Sequence, residues 1–357
     1  MGLGPQNMWP DFQIPKILAI QQADFSLDLN LLPREHINGE LKVPGVSDPR
    51  CKITVGELIA ETRFAYIHHI LRSPLDGGKP LCVKIPKNRQ FSICPEALVQ
   101  WICSRALINA GIHGAIPEVH DIYRYIDQSR FTMDFIPGKS AIETIYTSPT
   151  PDATWLQILA QAALILGYLE EHVRLDHRDL KADNLWIRPK PISYTLKVGG
   201  TIWRIDAPFQ VVFLDFGYAC IGNQDGVAAV TLIDRELPLL DPCPKEGRDL
   251  FQLLACVLTI PEVKARFSAE MLAEMETLLR HRGANYMELT NTIYLIYGAA
   301  ADKRFRLPPL HPLSVLERLA HEWYPTAGVS IVTSKAASPS PIEFIASRPG
   351  SAAPPSA

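Results

Sequence analysis

The run His177-Arg178-Asp179-Leu180-Lys181-Ala182-Asp183-Asn184 constrains this chain more than any other feature. It sets a carboxylate, a lysine and a carboxamide within six residues. A second run, Asp215-Phe216-Gly217, follows Asn184 by 31 residues and ends the apolar stretch Val211-Val212-Phe213-Leu214. A third, Leu81-Cys82-Val83-Lys84, lies far upstream on a predicted strand. A fold that uses all three must bring distant segments of the chain to one place.

Length permits such a fold. The chain has 357 residues, enough for one large domain or two small ones with a sizeable core. Net charge is −3 and no large block has one sign, which argues against nucleic-acid binding through bulk charge. The seven cysteines (51, 82, 94, 103, 220, 243, 256) include no Cys-x-x-Cys pair, so no zinc ribbon or redox pair is offered. Several sit in apolar runs and read as buried, reduced thiols. The first residues lack a basic segment followed by an apolar one, and Trp155 to Tyr168 is too short to span a bilayer. The expectation is a cytoplasmic or nuclear protein with no membrane and no direct nucleic-acid partner.

Along the chain, the character changes once. Residues 1–50 are rich in Pro and Gly and read as an extension around the folded part. Strands are predicted at Lys52-Ile53-Thr54-Val55, Phe64-Ala65-Tyr66-Ile67 and Leu81 to Ile85, with turn chemistry at Pro74-Leu75-Asp76-Gly77-Gly78. A helix runs from Pro95 to Asn109, opened by proline and closed by Gly111. Two more strands follow, at 122–126 and 130–135. Asp152 to His172, Asp249 to Leu258 and Ala269 to Arg282 have helical spacing, with a β-rich patch at 185–218 between them. A small β-rich lobe (51–138) followed by a larger, mostly helical lobe (139–326) predicts an α+β fold with a cleft. Residues 327–357 read as a disordered tail, since 17 of the last 24 residues are Ser, Pro or Ala.

The three runs, at this spacing, resemble the eukaryotic protein kinase signature set from about residue 50 to 325. The resemblance implies an ATP-dependent phosphoryl transfer, in which positioning and charge neutralisation do most of the catalysis. Asp179 would accept the proton of the substrate hydroxyl. Lys181 would neutralise the γ-phosphate, and its presence resembles the Ser/Thr-specific form of the loop. Asn184 and Asp215 would hold Mg²⁺ through oxygen. Lys84 would reach the α- and β-phosphates and pair with Glu96, the acidic residue of the predicted helix. Phe131-Thr132-Met133-Asp134-Phe135-Ile136-Pro137-Gly138 resembles the family's hinge. Met133 would be the gatekeeper, and backbone groups of Asp134 and Ile136 would bond the adenine edge. Cys82 would lie above the adenine and Trp186 beneath it. Asp249 resembles the buried Asp that anchors the catalytic loop. ATP and a protein substrate are the implied partners.

The chain also departs from the family pattern. Val55-Gly56-Glu57-Leu58-Ile59-Ala60-Glu61-Thr62-Arg63-Phe64 has one glycine where three are usual. Gln100, one turn after Glu96, is polar where the family packs an apolar residue. Between Asp215 and Asp249 there is no Ala-Pro-Glu and no serine, so Thr231 and Tyr218 are the hydroxyl acceptors of that segment. Ser193 to Arg204 reads as an inserted hairpin with a Gly-Gly turn. The insertion and the missing Ala-Pro-Glu are similar to the haspin branch, which would imply a basic protein tail as substrate; Asp-Phe-Gly departs from the Asp-Tyr-Thr of that branch. Other motifs fail. Gly138-Lys139-Ser140 lacks the Walker glycine at 133, and His68-His69 on a strand would face opposite sides. Two alternatives stay open: an ATP-binding scaffold of the pseudokinase type, and a small-molecule kinase.

Overall fold

The computed structural model describes residues 40–42, 52–73, 79–88, 93–125, 128–221, 247–281, 284–285 and 310–332. The turn at 74–78, Thr231 and most of the expected N-terminal extension and C-terminal tail lie outside them.

The first part is a six-stranded antiparallel sheet with one helix. Its strands are β1 (Glu40–Lys42), β2 (Lys52–Glu61), β3 (Ala65–Ser73), β4 (Leu81–Pro86), β5 (Val119–Tyr125) and β6 (Gln128–Asp134), in the order β1-β2-β3-β4-β6-β5. Strand β2 does not stop at Gly56, as expected from the sequence. It runs on to Glu61, with register shifts against β3 between Val55 and Leu58 and between Leu58 and Ala60. Gly56 sits at this irregularity, where its carbonyl accepts from His68 Nδ1 at 3.1 Å. A β-bulge lets the ladder continue past an unpaired residue, which a reading of strand propensity misses.

Helix α1 (Cys94–Asn109) packs on β5 and β6. Leu98, Trp101, Ile102, Cys103 and Leu107 are all buried. A helix apolar on every side needs partners on every side. Here the sheet supplies one and the long helix of the second part supplies another. Pro95 opens α1 and Glu96 lies in its first turn, where the helix dipole favours a carboxylate.

The second part begins with β7 (Lys139–Ser140), α2 (Ala141–Thr147) and α3 (Pro151–Val173). Ser140 caps α2 by accepting from Glu143 N–H at 3.2 Å. Helix α3 is buried on nearly every face, and Trp155 is fully enclosed. It ends at Arg174 in the left-handed conformation. Short strands follow: β8 (Leu175–Asp176), β9 (Leu185–Arg188), β10 (Ile192–Val198), β11 (Thr201–Ala207), β12 (Gln210–Phe213) and β13 (Cys220–Ile221). The expected hairpin is β10–β11. Gly199 and Gly200 both have positive φ between Val198 and Thr201, as a tight primed turn requires. Tyr194, Leu196, Val198, Trp203 and Ile205 are buried at alternate positions, so one face of the hairpin packs inward, against α3.

Helices α4 (Arg248–Leu258), α5 (Pro261–Lys264) and α6 (Ala269–Leu278), the pair β14 (Arg280–His281) and β15 (Ala284–Asn285), helix α7 (Pro312–Glu322) and strand β16 (Val329–Ile331) complete the described chain. Residues 327–332 were expected to belong to the tail. Instead Val329 to Ile331 pairs with β11, and Ala327 and Val329 are fully buried. The strand Val329-Ser330-Ile331 is apolar at alternate positions, and the neighbouring Ser/Pro/Ala composition hides it. One hydrophobic cluster runs from Cys82 to Val329, through both parts. The fold is therefore α+β and two-lobed, with a strand-rich first lobe and a second lobe built around helix α3. Among the described residues, no helix is long and apolar enough to cross a membrane.

One cysteine departs from expectation. Cys82, Cys103 and Cys256 are free and buried, but Cys220 is disulfide-bonded. Burial and apolar neighbours do not distinguish the two states in a sequence.

Candidate active site

The run 177–184 is held from beneath by one carboxylate. Asp249, in the first turn of α4, accepts from His177 N–H at 2.7 Å and Arg178 N–H at 2.9 Å. Arg178 has φ of 65°, in the left-handed region, so its conformation needs support from outside the loop. Gln252, one turn on, donates to Arg178 O at 3.3 Å. Burial pushes the Asp249 carboxyl up to about 6, against these bonds and the charges of Arg248 and Arg178. Arg248 Nε lies 3.5 Å from Asp176 Oδ2, with both side chains sealed from solvent. Neither Arg248 nor Asp176 stands out in the sequence as part of the site.

His177 links this loop to the second run. Its Nε2 is 3.1 Å from Leu214 O, which can only accept, so the proton sits on Nε2. Burial lowers the affinity of the ring for a second proton, against the nearby charges of Asp179 and Asp215. The ring packs on Phe216, with centroids 4.9 Å apart.

Asp179 and Asp215 meet through Asn184. Asn184 Nδ2 donates to Asp179 O at 2.8 Å and to Asp179 Oδ2 at 3.1 Å. Asn184 O accepts from Leu214 N–H at 2.9 Å, next to Asp215. The β9–β12 ladder brings these two chain segments together. Lys181 Nζ lies 3.2 Å from Asp179 Oδ2, and its charge also reaches Asp215.

Lys84 crosses between the lobes. From β4 its ammonium donates to Glu96 on α1 and, at 2.8 Å, to Asp215 Oδ1. Burial alone would lower the Lys84 pKa, but Asp215 and Glu96 outweigh it and keep the ammonium charged. Burial and the charge of Asp215 push Glu96 up to about 6, although Lys84 opposes them. Asp215 itself lies below the ordinary carboxylate range, because Lys84 outweighs its burial. Asp215 has φ of 61°, and a Cβ at Gly217 would come within 3.3 Å of its Oδ1, so the small residue there leaves room for the carboxylate.

These values fix a pH dependence. Glu96 holds its proton to about pH 6 when folded but only to about 4.5 when unfolded. Folding therefore takes up protons in that window, and stability falls as pH rises across it, while the charged Glu96–Lys84 pair forms. Activity should run the opposite way. We expect kcat/KM to fall on acidification with a midpoint near 6, as Glu96 and Asp249 take up protons. A limb centred near pH 4 would exclude both carboxylates as its source.

The expected adenine-facing residues take more scattered positions. Met133 and Asp134 end β6, and Cys82 is the ladder partner of Met133. The Cys82 thiol donates weakly to Asp134 O at 3.7 Å, and burial pushes its pKa up to about 12, so it is no nucleophile. Asp134 N–H is taken by Glu118 O at 3.1 Å. Its carboxylate is held by Lys79 and His120, each at 2.7 Å, which keep it below its ordinary range against burial. Ile136 lies on the connection from β6 to β7, and Trp186 on β9, where it pairs with Ser140. Gly138 allows that approach, since a Cβ there would sit 2.2 Å from Ile187 O. Asp134 thus has its N–H engaged and its carbonyl facing the Cys82 thiol, while Trp186 lies on β9 in the second lobe.

Sequence reasoning missed one contact between the two lobes. Phe64, at the β2–β3 turn, packs edge-on to Tyr218, just past Asp215-Phe216-Gly217, at 6.1 Å between centroids. The β2–β3 turn that carries Phe64 contains no glycine.

The donor set suits a hard divalent cation. Asp215 has one oxygen on Lys84 and a side chain one-third exposed. Asn184 uses its N–H₂ on Asp179, which leaves its carbonyl oxygen as the acceptor. One carboxylate and one amide oxygen match Mg²⁺, which keeps waters and takes phosphate oxygens for its other positions.

No family model matches the chain. Over 167 residues it is 20% identical to a protein named probable kinase 098L of Invertebrate iridescent virus 3; the match takes in 46% of this chain and 32% of the viral protein. The chain therefore spans about a third of that relative's length. In structure it is similar to the BubR1 kinase domain, at 18% identity over 58% of this chain and 59% of that one, with a TM-score of 0.40. It is also similar to the autoinhibited serine kinase domain of the giant muscle protein titin, at 13% identity over 75% and 79%, with a TM-score of 0.39.

Proposed function

We propose that the chain is a protein kinase that transfers the γ-phosphate of ATP to Ser or Thr hydroxyls of a protein. The observation that carries this reading is Lys84, which joins the β4 strand of the first lobe to Glu96 and Asp215 in one contact set. A purely structural lysine would need one carboxylate, and two leave an excess of negative charge beside it. A divalent cation held on Asp215 would supply the missing positive charge, and would leave Lys84 free to serve a phosphate.

In this reading the cleft between residues 51–138 and 139–326 binds ATP, with Asp134 and Ile136 backbone groups on the adenine edge and Cys82 and Trp186 on its faces. Lys84 holds the α- and β-phosphates, and Glu96 fixes the direction of its ammonium. Asn184 and Asp215 hold Mg²⁺, which neutralises charge on the phosphate oxygens when bound. Asp179 orients the substrate hydroxyl and accepts its proton. The hydroxyl oxygen forms the new bond to phosphorus, and the bond to the β-phosphate oxygen breaks, releasing ADP. Lys181 neutralises charge on the transferred group, and its contact with Asp179 keeps it at the same place.

The test is transfer of radiolabelled phosphate from ATP to a peptide array. Incorporation should fall by about a thousandfold or more in Asp179→Ala, since positioning and proton acceptance fail together. Label on a small metabolite alone would assign a small-molecule kinase. The glycine-free turn at Phe64 favours a second reading, an ATP-binding scaffold. Thermal stabilisation by ATP–Mg²⁺ with no incorporation in the wild type would establish it.

A further inference from the structure

We propose that Gln100 is a positioning residue that latches helix α1, and with it Glu96, against the sheet; this rests on the kinase reading only for its effect on ATP. Glu96 and Gln100 are four residues apart on α1, so they lie on one face, a turn apart. Each makes a buried polar bridge to the sheet. Glu96 takes the ammonium of Lys84 on β4. Gln100 uses both hydrogens of its Nε2, one on Pro117 O at 2.9 Å and one on Met133 Sδ at 3.4 Å. Gln100 is 2% exposed.

The two bridges close a circuit. Met133 on β6 is the ladder partner of Cys82 on β4, two residues before Lys84. The circuit runs from Lys84 to Glu96, along one helical turn to Gln100, across to Met133 and back along β4. Rotating α1 to swing Glu96 away from Lys84 would also pull the carboxamide off both acceptors. A buried donor without an acceptor loses its hydration and gains nothing in return, so this motion is opposed at two points. An apolar residue at 100 would fill the space but oppose the rotation at one point only.

Amide exchange by mass spectrometry on the nucleotide-free full chain, with ATP kinetics alongside, tests this. In Gln100→Met, of similar length without the donors, we expect exchange over 94–109 to speed up about tenfold and exchange over 151–173 to stay unchanged. The KM for ATP–Mg²⁺ should rise about tenfold with kcat within about twofold, because nucleotide binding redocks the helix. Gln100→Leu repeats both measurements should the first variant fail to fold. Unchanged exchange over 94–109 overturns the proposal, and so does equal acceleration in both helices, which marks general loss of packing. A wild type that does not use ATP removes the kinase reading, while the exchange result still decides the latch.

Discussion

Replacing Lys84 with Met should lower phosphoryl transfer by about a thousandfold or more, because the charge we propose to meet the phosphates is lost. The stability effect should depend on pH. Lys84 is the cation between Glu96 and Asp215, and Glu96 is already pushed up to about 6 with that cation present. Without it the Glu96 carboxyl keeps its proton to higher pH. The folded state then binds more protons than the unfolded one, and stability falls as pH rises through that range. The variant should melt below wild type at both pH values, since the contact with Asp215 is lost at each, and by a clearly larger margin at pH 8 than at pH 5. Activity assays and thermal melts at the two pH values check both parts. Retained turnover removes Lys84 from the site, and a pH-independent difference in melting temperature removes the Glu96 argument.

Replacing Asp249 with Ala should cause the largest loss of stability, about 3–5 kcal/mol. The carboxylate accepts from His177 and Arg178 N–H groups that are sealed from water. Its removal leaves two backbone donors sealed from water without an acceptor. Asp249→Asn keeps one acceptor oxygen and should lose about half as much. Urea unfolding gives the difference from the midpoint, at constant slope. Transfer should drop as well in both variants, since Arg178 would leave its left-handed conformation and carry Asp179 with it. A stable Asp249→Ala with normal turnover would show that the loop holds itself.

Much of the site could be read in advance because its spacings are local. Asp179, Lys181 and Asn184 fall within one short loop, and Asp215 ends the strand that pairs beside it. The β10–β11 hairpin announced itself through Gly199-Gly200 and alternating burial. Other features had no local signal. Gln100 stood out only as a polar residue in an apolar helix, and its partners Pro117 and Met133 lie 17 and 33 residues away. Arg248 and Asp176 look like surface charges until α4 is seen beneath β8. Strand β16 hid in a stretch next to Ser/Pro/Ala composition, and the disulfide state of Cys220 left no trace in its neighbours.

The amino-acid order alone set the chemistry on offer: which groups can carry charge, which can accept a proton, and which loops hold them. Side-chain type and short-range spacing suffice for that. Tertiary structure decided which of these groups meet. Lys84 gains its two carboxylates only when β4, α1 and the Asp215 turn come together, and Asp249 becomes an anchor only where α4 underlies the loop. Burial then sets their protonation, since the cost of charge depends on surroundings that distant parts of the chain supply.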